Sequence, residues 1–237
     1  GCVTCGVGTC LLKDIVNIHN LDPGEEAVLL ARIAGFIYPG VAVTMPVPEN
    51  IEKPPAGEIN YSPPLKQLVE EHKLIKRWLA LIPGFIAGLD VDSENGRGLI
   101  ARGIDFIRSY ADKFHHAKEE DILFKYFDEN LDIIRIMLAD HQNARAKVRE
   151  MLAALENRDK DTIATRLIAY RELLTEHIKK EDEVLYRWMD RKLSITEVGE
   201  LFTRFAARQQ EFGDRPEQYE EFIAGMEKIY TTEAKLK

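Results

Sequence analysis

Cysteine is nearly absent from this sequence. The 237 residues contain three cysteines, all within the first ten positions, so a disulfide framework is excluded for the rest of the chain. Long apolar runs are also lacking: a run such as 27–38 is too short to cross a bilayer and contains Arg32. We therefore expect no membrane span. The beginning of the sequence lacks the basic start and apolar core of a secretory signal, so we expect a cytoplasmic protein.

An excess of positive charge is lacking as well. The formal net charge is −8, which argues against binding to nucleic acid or to an anionic membrane surface. Hydrophobic residues make up 45% and charged residues 30% of the chain, as in an ordinary globular protein with a substantial core. The composition therefore directs attention to small ligands and to protein partners.

The three cysteines, Cys2, Cys5 and Cys10, are spaced closely enough to act together. They are candidate ligands of an iron–sulfur cluster or of zinc, with His19 or a cysteine of a partner subunit as the fourth ligand. Two of them are also a candidate redox pair. The alternative is a reduced terminal tail without a site, and the sequence does not choose among these interpretations.

The remainder of the chain has helical patterns and no pattern that requires a strand. Residues 1–38 are expected to form a small, cysteine-containing helical segment, and the seven prolines within 39–64 predict an extended linker. Four amphipathic helices follow in 65–190, and a capping box at Ser194–Glu197 opens a C-terminal helical extension, 191–237. The fold class predicted is all-α, an up-down-up-down four-helix bundle with helical additions at both ends.

Several helix ends have sequence signals. Ser62 is expected to cap the first helix, which is predicted to stop at Pro83-Gly84. The second helix is expected to begin after Ser93 or Asn95. Either Asp159 or Asp161 is expected to cap the fourth helix.

Histidines and glutamates share the predicted core faces of the four helices. Four of the six histidines occupy such faces, one per helix, and two glutamates follow histidines at i+4, on the same face. An apolar core would not bury two unpaired carboxylates, whereas a metal cation removes the cost. Nitrogen and oxygen ligands suit iron, manganese or zinc, and carboxylates on opposite helices are placed to bridge two ions. The predicted metal ligands are His72, His115, Glu119, His141, His177 and Glu181.

Three further positions and Arg145 lie next to these predicted ligands, in sequence or on the same helix face. His116 is rotated by about 100° from His115 on an α-helix, so we expect it outside the ligand set, next to the ligands or at the surface. Asp140 and Glu176 precede ligand histidines and either orient imidazole rings or face solvent. Arg145 either pairs with a carboxylate, hydrogen-bonds a bound anion, or extends to solvent.

This arrangement resembles the hemerythrin-like family, also called the HHE cation-binding domain. The residues that carry the resemblance are His72, His115-x3-Glu119, His141 after an aspartate, and His177-x3-Glu181. The resemblance covers about 65–190 and implies a non-heme di-iron centre, with Glu119 and Glu181 as bridging carboxylates. Oxygen carriers of the family have another histidine where this chain has Arg145. An iron therefore has an open position, or His116 or Glu120 fills it.

The resemblance implies three functions. The first is binding of dioxygen, nitric oxide or peroxide for sensing, delivery or stress response. The second is a di-iron oxidoreductase that reduces these molecules, with the N-terminal cysteines as a redox site and with a redox partner. The third is iron handling. The partner expected for the first two functions is a small diatomic molecule or peroxide, and a homo-oligomer is compatible with each function.

Overall fold

The computed structural model describes residues 61–234, together with Val28, Arg32 and Ile33, which are helical. The predicted site at Cys2, Cys5 and Cys10 lies outside the described residues, as do most of the predicted N-terminal segment and the linker. Within the described residues every regular element is helical, which confirms the all-α fold class.

Four long helical rods form the bundle. The first rod is α1, Pro63–Ala87. The second consists of α2, Glu94–Asp105, and its continuation to Tyr126. The third is α3, Asp132–Glu156, and the fourth consists of α4, Lys160–Lys180, a π-helical turn Glu181–Leu185 and α5, Tyr186–Lys192. Each rod contacts the next, and the fourth contacts the first, so the four rods enclose a common interior.

The predicted end of α1 at Pro83-Gly84 is wrong, because the helix continues to Ala87 with Pro83 inside it. Proline lacks the N–H group that would bond the carbonyl of Leu79 one turn earlier. The guanidinium Nε of Arg171 on α4 donates to this carbonyl at 3.2 Å. A neighbouring helix thus replaces the hydrogen bond that the proline removes, and the helix persists.

The second rod departs from α-helical winding. Phe106–His116 and Glu119–Leu123 are π-helical, and Phe124–Tyr126 is a 3₁₀ turn. A π-helix bonds each N–H to the carbonyl five residues earlier, and such segments often occur at functional sites. The wider turn changes which residues face the interior, so both His115 and His116 are buried here.

The helix caps agree in part with the sequence signals. Ser93 accepts a hydrogen bond from the N–H of Gly96, and Asp159 accepts one from the N–H of Thr162. Ser194 and Glu197 form the predicted capping box at the start of α6, Ile195–Phe212. Ser62 occupies the N-cap position of α1, but its side chain caps nothing; instead its N–H donates to the carboxylate of Asp190.

A polar layer divides the hydrophobic interior into two clusters. One cluster contains Leu65, Leu68 and Met137, and the other contains Ile75, Ile107 and Val148. His72 and His141 lie between these clusters along α1 and α3. The C-terminal helices α6 and α7, Arg215–Ala234, pack against α1 and extend both clusters, α6 with Phe205 and α7 with Phe222. No helix in the described part of the chain is long and apolar enough to cross a membrane.

Candidate metal centre

The polar layer brings seven potential ligands together, all of them buried. Their donor atoms form two groups, and the donor atoms within a group lie within 4.8 Å of one another. The first group contains His116, Glu119, His141 and His177. The second group contains His72, His115 and Glu181. All six residues predicted as ligands from the sequence are therefore present, together with His116.

The two glutamates lie between the two groups. Oε2 of Glu119 is 3.5 Å from Nε2 of His141 and 3.8 Å from Nε2 of His115. Likewise, Oε1 of Glu181 is 3.0 Å from Nε2 of His177, and Oε2 is 3.2 Å from Nε2 of His72. Each carboxylate thus contacts one histidine of each group, which is the placement that a bridging carboxylate requires.

Several donor atoms in this layer have no hydrogen-bond partner within the described residues. They are Nε2 of His115, Oε2 of Glu119 and both carboxylate oxygens of Glu181. A buried polar atom without a partner costs about 1–3 kcal/mol, and a charged one costs more. A cation satisfies imidazole nitrogen and carboxylate oxygen together, so the residues present fit a bound metal.

In the absence of a cation, the buried glutamates and histidines of the layer have pKa values shifted in different directions. Burial and the charge of Glu181 raise the pKa of Glu119 well above its usual value. Burial would also raise the pKa of Glu181, but His177 and His72 outweigh it and lower that pKa. Burial and the neighbouring His72 lower the pKa of His115 to about 3. Burial opposes protonation of His177 too, yet Glu181 and Asp140 raise its pKa to about 9.

Carboxylates outside the layer contact the other ring nitrogen of four histidines. Nδ1 of His115 is 3.0 Å from Glu71, and Nδ1 of His177 is 3.3 Å from Asp140. These carboxylates immediately precede His72 and His141 in the sequence. Such contacts fix the ring orientation and leave Nε2 for a metal.

The other two contacts of this kind come from the residues that follow the interior glutamates. Glu120 lies 2.6 Å from Nδ1 of His141, and Asp182 lies 2.7 Å from Nδ1 of His72. Each rod therefore supplies both a histidine and the carboxylate that orients a histidine on another rod. His116 has a weaker contact, since its Nδ1 is 3.7 Å from Asp112 and has no hydrogen-bond partner.

Each of these five carboxylates also contacts a cationic side chain. Lys76 binds Asp182 at 2.5 Å, Lys180 binds Asp140 at 3.2 Å, and Lys118 binds Glu71. Arg145 donates to both Asp112 and Glu120 at 2.8 Å. Lys118 alone among these four cations is completely buried, and it lies 3.6 Å from the centre of the Phe114 ring. These four cations offset most of the charge of the five carboxylates.

The expectations for four neighbouring residues can now be compared with the structure. His116 was expected outside the ligand set, but it is 2% exposed and belongs to the four-residue group, because the π-helical segment does not keep α-helical phase. Arg145 pairs with carboxylates, as one of its three interpretations predicted. Asp140 orients a ring, although the ring is that of His177 and not of the adjacent His141. Glu176 is exposed.

Tyr186 is a member of the site that sequence reasoning missed. Its O–H donates to Oε1 of Glu119 at 2.5 Å, and its ring stacks against His72 with centroids 5.5 Å apart. The side chain is fully buried. The available signal was its position five residues after Glu181 in a rod already predicted to carry ligands.

A closed four-helix bundle with buried imidazoles and carboxylates at one level defines a helical metal-binding protein of the bundle class. The model of the hemerythrin HHE cation-binding domain matches residues 64–189, which is more than half of the chain. The chain belongs to this family. The family is one of cation-binding domains, and the histidine and glutamate groups described above lie within the matched residues.

Three curated relatives are similar over 170 residues at 24% identity. They are uncharacterised proteins of Mycobacterium bovis and of two strains of Mycobacterium tuberculosis. The similarity covers 68% of this chain, and the chain spans 66% of the length of each relative, slightly less than two thirds. No solved structure matches the chain.

Proposed function

We propose that this protein is a non-heme di-iron protein that binds dioxygen or a related small molecule, such as nitric oxide or peroxide, for sensing, delivery or stress response. The observation that carries the proposal is the pair of buried ligand groups joined by Glu119 and Glu181. His116, His141 and His177 would hold one ion, and His72 and His115 the other. Bound iron would supply the redox chemistry and the affinity for small oxygen and nitrogen species.

The protein residues around these groups have three roles in the proposal. The carboxylates that contact Nδ1 of the histidines keep the proton on that nitrogen, so that the lone pair of Nε2 is free to bind a metal. Aromatic and aliphatic side chains on both sides of the layer exclude water. The unequal numbers of histidines, three against two, would leave one ion with fewer protein ligands, and an external molecule would bind there.

Metal analysis tests the proposal directly. The full chain is purified without nickel affinity resin, and its metals are measured beside its visible spectrum under argon and under air. We expect about two irons per chain and a spectrum that changes on exposure to air. Zinc as the bound metal, or a chain without metal, would contradict the proposal.

An oxidoreductase that reduces dioxygen, peroxide or nitric oxide is a second candidate, and Tyr186 favours it. This buried phenol holds its proton on Oη, within hydrogen-bond distance of Glu119, and so offers an internal proton beside the proposed ions. The oxidoreductase would consume its small-molecule substrate continuously, whereas a reversible binding protein would not. Steady consumption of peroxide or nitric oxide in the presence of a reductant would support the enzyme. A stable adduct without consumption would support reversible binding.

A further inference from the structure

A cavity lies beside the four-residue group of the candidate metal centre, between the second and third rods. Its volume is about 220 Å³, and its lining includes His116 of the four-residue group. The exposed side chains of Arg108 and Arg149 mark its solvent end, and the buried His116 and Tyr170 mark its inner end. Pockets for drug-sized ligands are about 300–1,000 Å³, so this cavity suits a smaller molecule, although one larger than a single water.

The charge of the cavity favours an anion. Three arginines and one aspartate line it. Arg145 is already bound to Asp112 and Glu120, and Arg108 is paired with Asp105 in an exposed contact. The exposed guanidinium of Arg149 makes no ion pair or hydrogen bond with any described residue. A carboxylate is the planar partner that an arginine binds best through two parallel hydrogen bonds.

The remaining lining combines apolar surface with an unused hydrogen-bond donor. Four aliphatic side chains, including Val148, form the walls. The O–H of Tyr170 is buried and has no hydrogen-bond partner within the described residues.

We propose that this cavity is a binding site for a short-chain organic monocarboxylate. The carboxylate pairs with Arg149 and Arg108, and the hydrocarbon chain contacts Val148 and the other aliphatic walls. An occupant also lies against His116, at one edge of the candidate metal centre. The site consists of protein side chains alone, so the inference goes beyond the proposed iron chemistry and does not depend on it.

Ligand-observed NMR on the full chain tests this proposal, with butyrate as the probe and butyramide as its neutral counterpart. We expect butyrate to bind at least about tenfold more tightly than butyramide, as hydrogen bonds to a charged group are worth about 1.5–3 kcal/mol. Arg149→Ala should weaken butyrate binding by at least about tenfold on the same basis. Arg135→Ala removes an exposed arginine elsewhere on α3 and should leave binding unchanged.

Steric blocking gives a second, independent test. Val148→Phe should abolish butyrate binding, provided that its circular dichroism and unfolding transition show a folded chain. If it does not fold, Arg149→Ala decides the matter, because that side chain is exposed. Equal binding of butyrate and butyramide, equal effects of Arg149→Ala and Arg135→Ala, or no binding at millimolar butyrate would each overturn the proposal. Iron content is measured in parallel. Butyrate binding by a chain that holds no iron would support this site while contradicting the proposed di-iron function.

Discussion

The two His-x3-Glu segments of this protein have the same spacing but different surroundings. His115–Glu119 lies in a rod with two π-helical segments, whereas His177 lies in an α-helix and only Glu181 begins a π-helical turn. The residue after the first histidine is His116, which joins the cluster, and the corresponding residue after the second is Ile178, which packs in the core. The comparison teaches that identical spacing places identical candidate ligands in the interior, while the identity of the buried residue after each histidine, His116 or Ile178, decides whether a further donor joins them.

The surrounding carboxylates follow an approximate two-fold pattern. Glu71 and Asp140 precede single histidines and orient His115 and His177, respectively. In the same way, the carboxylates that follow Glu119 and Glu181 orient the single histidines of other rods. The halves differ in their cations, because Lys118 is completely buried while its counterpart Lys180 is 24% exposed. The following experiments test the similarities first and then the differences.

Removal of either interior glutamate is expected to have the largest effect. Glu119→Ala and Glu181→Ala should each reduce bound metal by at least about tenfold and abolish stabilisation of the fold by metal, because each carboxylate contacts both ligand groups. Metal content and melting temperature are the measurements. Glu183→Ala, at an exposed position of the same turn as Glu181, is the matched control. Wild-type metal content in either interior variant would refute the ligand assignment.

The buried cation should matter more than its exposed counterpart. Lys118→Met leaves Glu71 as a buried carboxylate that has lost its ion-pair partner and should cost about 3–5 kcal/mol in the free energy of unfolding. Lys180→Met disrupts a partly exposed pair with Asp140 and should cost about 1 kcal/mol or less. Denaturant unfolding of both variants gives the comparison. Similar losses in the two variants would show that the burial of Lys118 has no energetic consequence.

Replacement of His116 by isoleucine, the residue at the corresponding position 178, tests whether the additional histidine of the first segment binds metal. His116→Ile copies the residue found at position 178 and removes one of three histidines from the four-residue group. Metal affinity, measured by competition with a chelator, should fall by at least about tenfold for one of the two proposed ions. Lys113→Ala, at an exposed position of the same π-helical segment, should leave affinity unchanged. Unchanged affinity in His116→Ile would restore the sequence-based view that this residue lies outside the ligand set.

Metal affinity is also expected to depend on pH. A metal requires neutral His177, whose pKa is raised to about 9 in the metal-free protein. Affinity should therefore rise by up to about tenfold for each pH unit between 7 and 9, and then level off as this proton is lost. Proton release on metal addition in weakly buffered solution provides the check. Affinity that is constant over this range would mean that His177 is already neutral.

The carboxylates that link a cation to a histidine could be predicted only in part from the sequence. Glu71 and Asp140 stand next to proposed ligands, so adjacency is a usable signal, but the histidines that they orient lie on other rods. Contacts of this kind depend on how the helices face one another, and side-chain spacing within one helix carries no such information. The continuation of α1 through Pro83 is similar, because its explanation is a side chain of Arg171 from α4.

The sequence by itself determined the helical bundle and its six main candidate ligands. The 3-4 spacing of apolar residues predicts each helix, and a histidine with a glutamate at i+4 shares one face whatever the neighbouring helices do. Tertiary structure decided the rest. It buried His116 through π-helical winding, it enclosed Lys118 beside Glu71, and it brought Tyr186 to Glu119. These features depend on backbone hydrogen bonding and packing between rods, which are set only when the bundle closes around its polar layer.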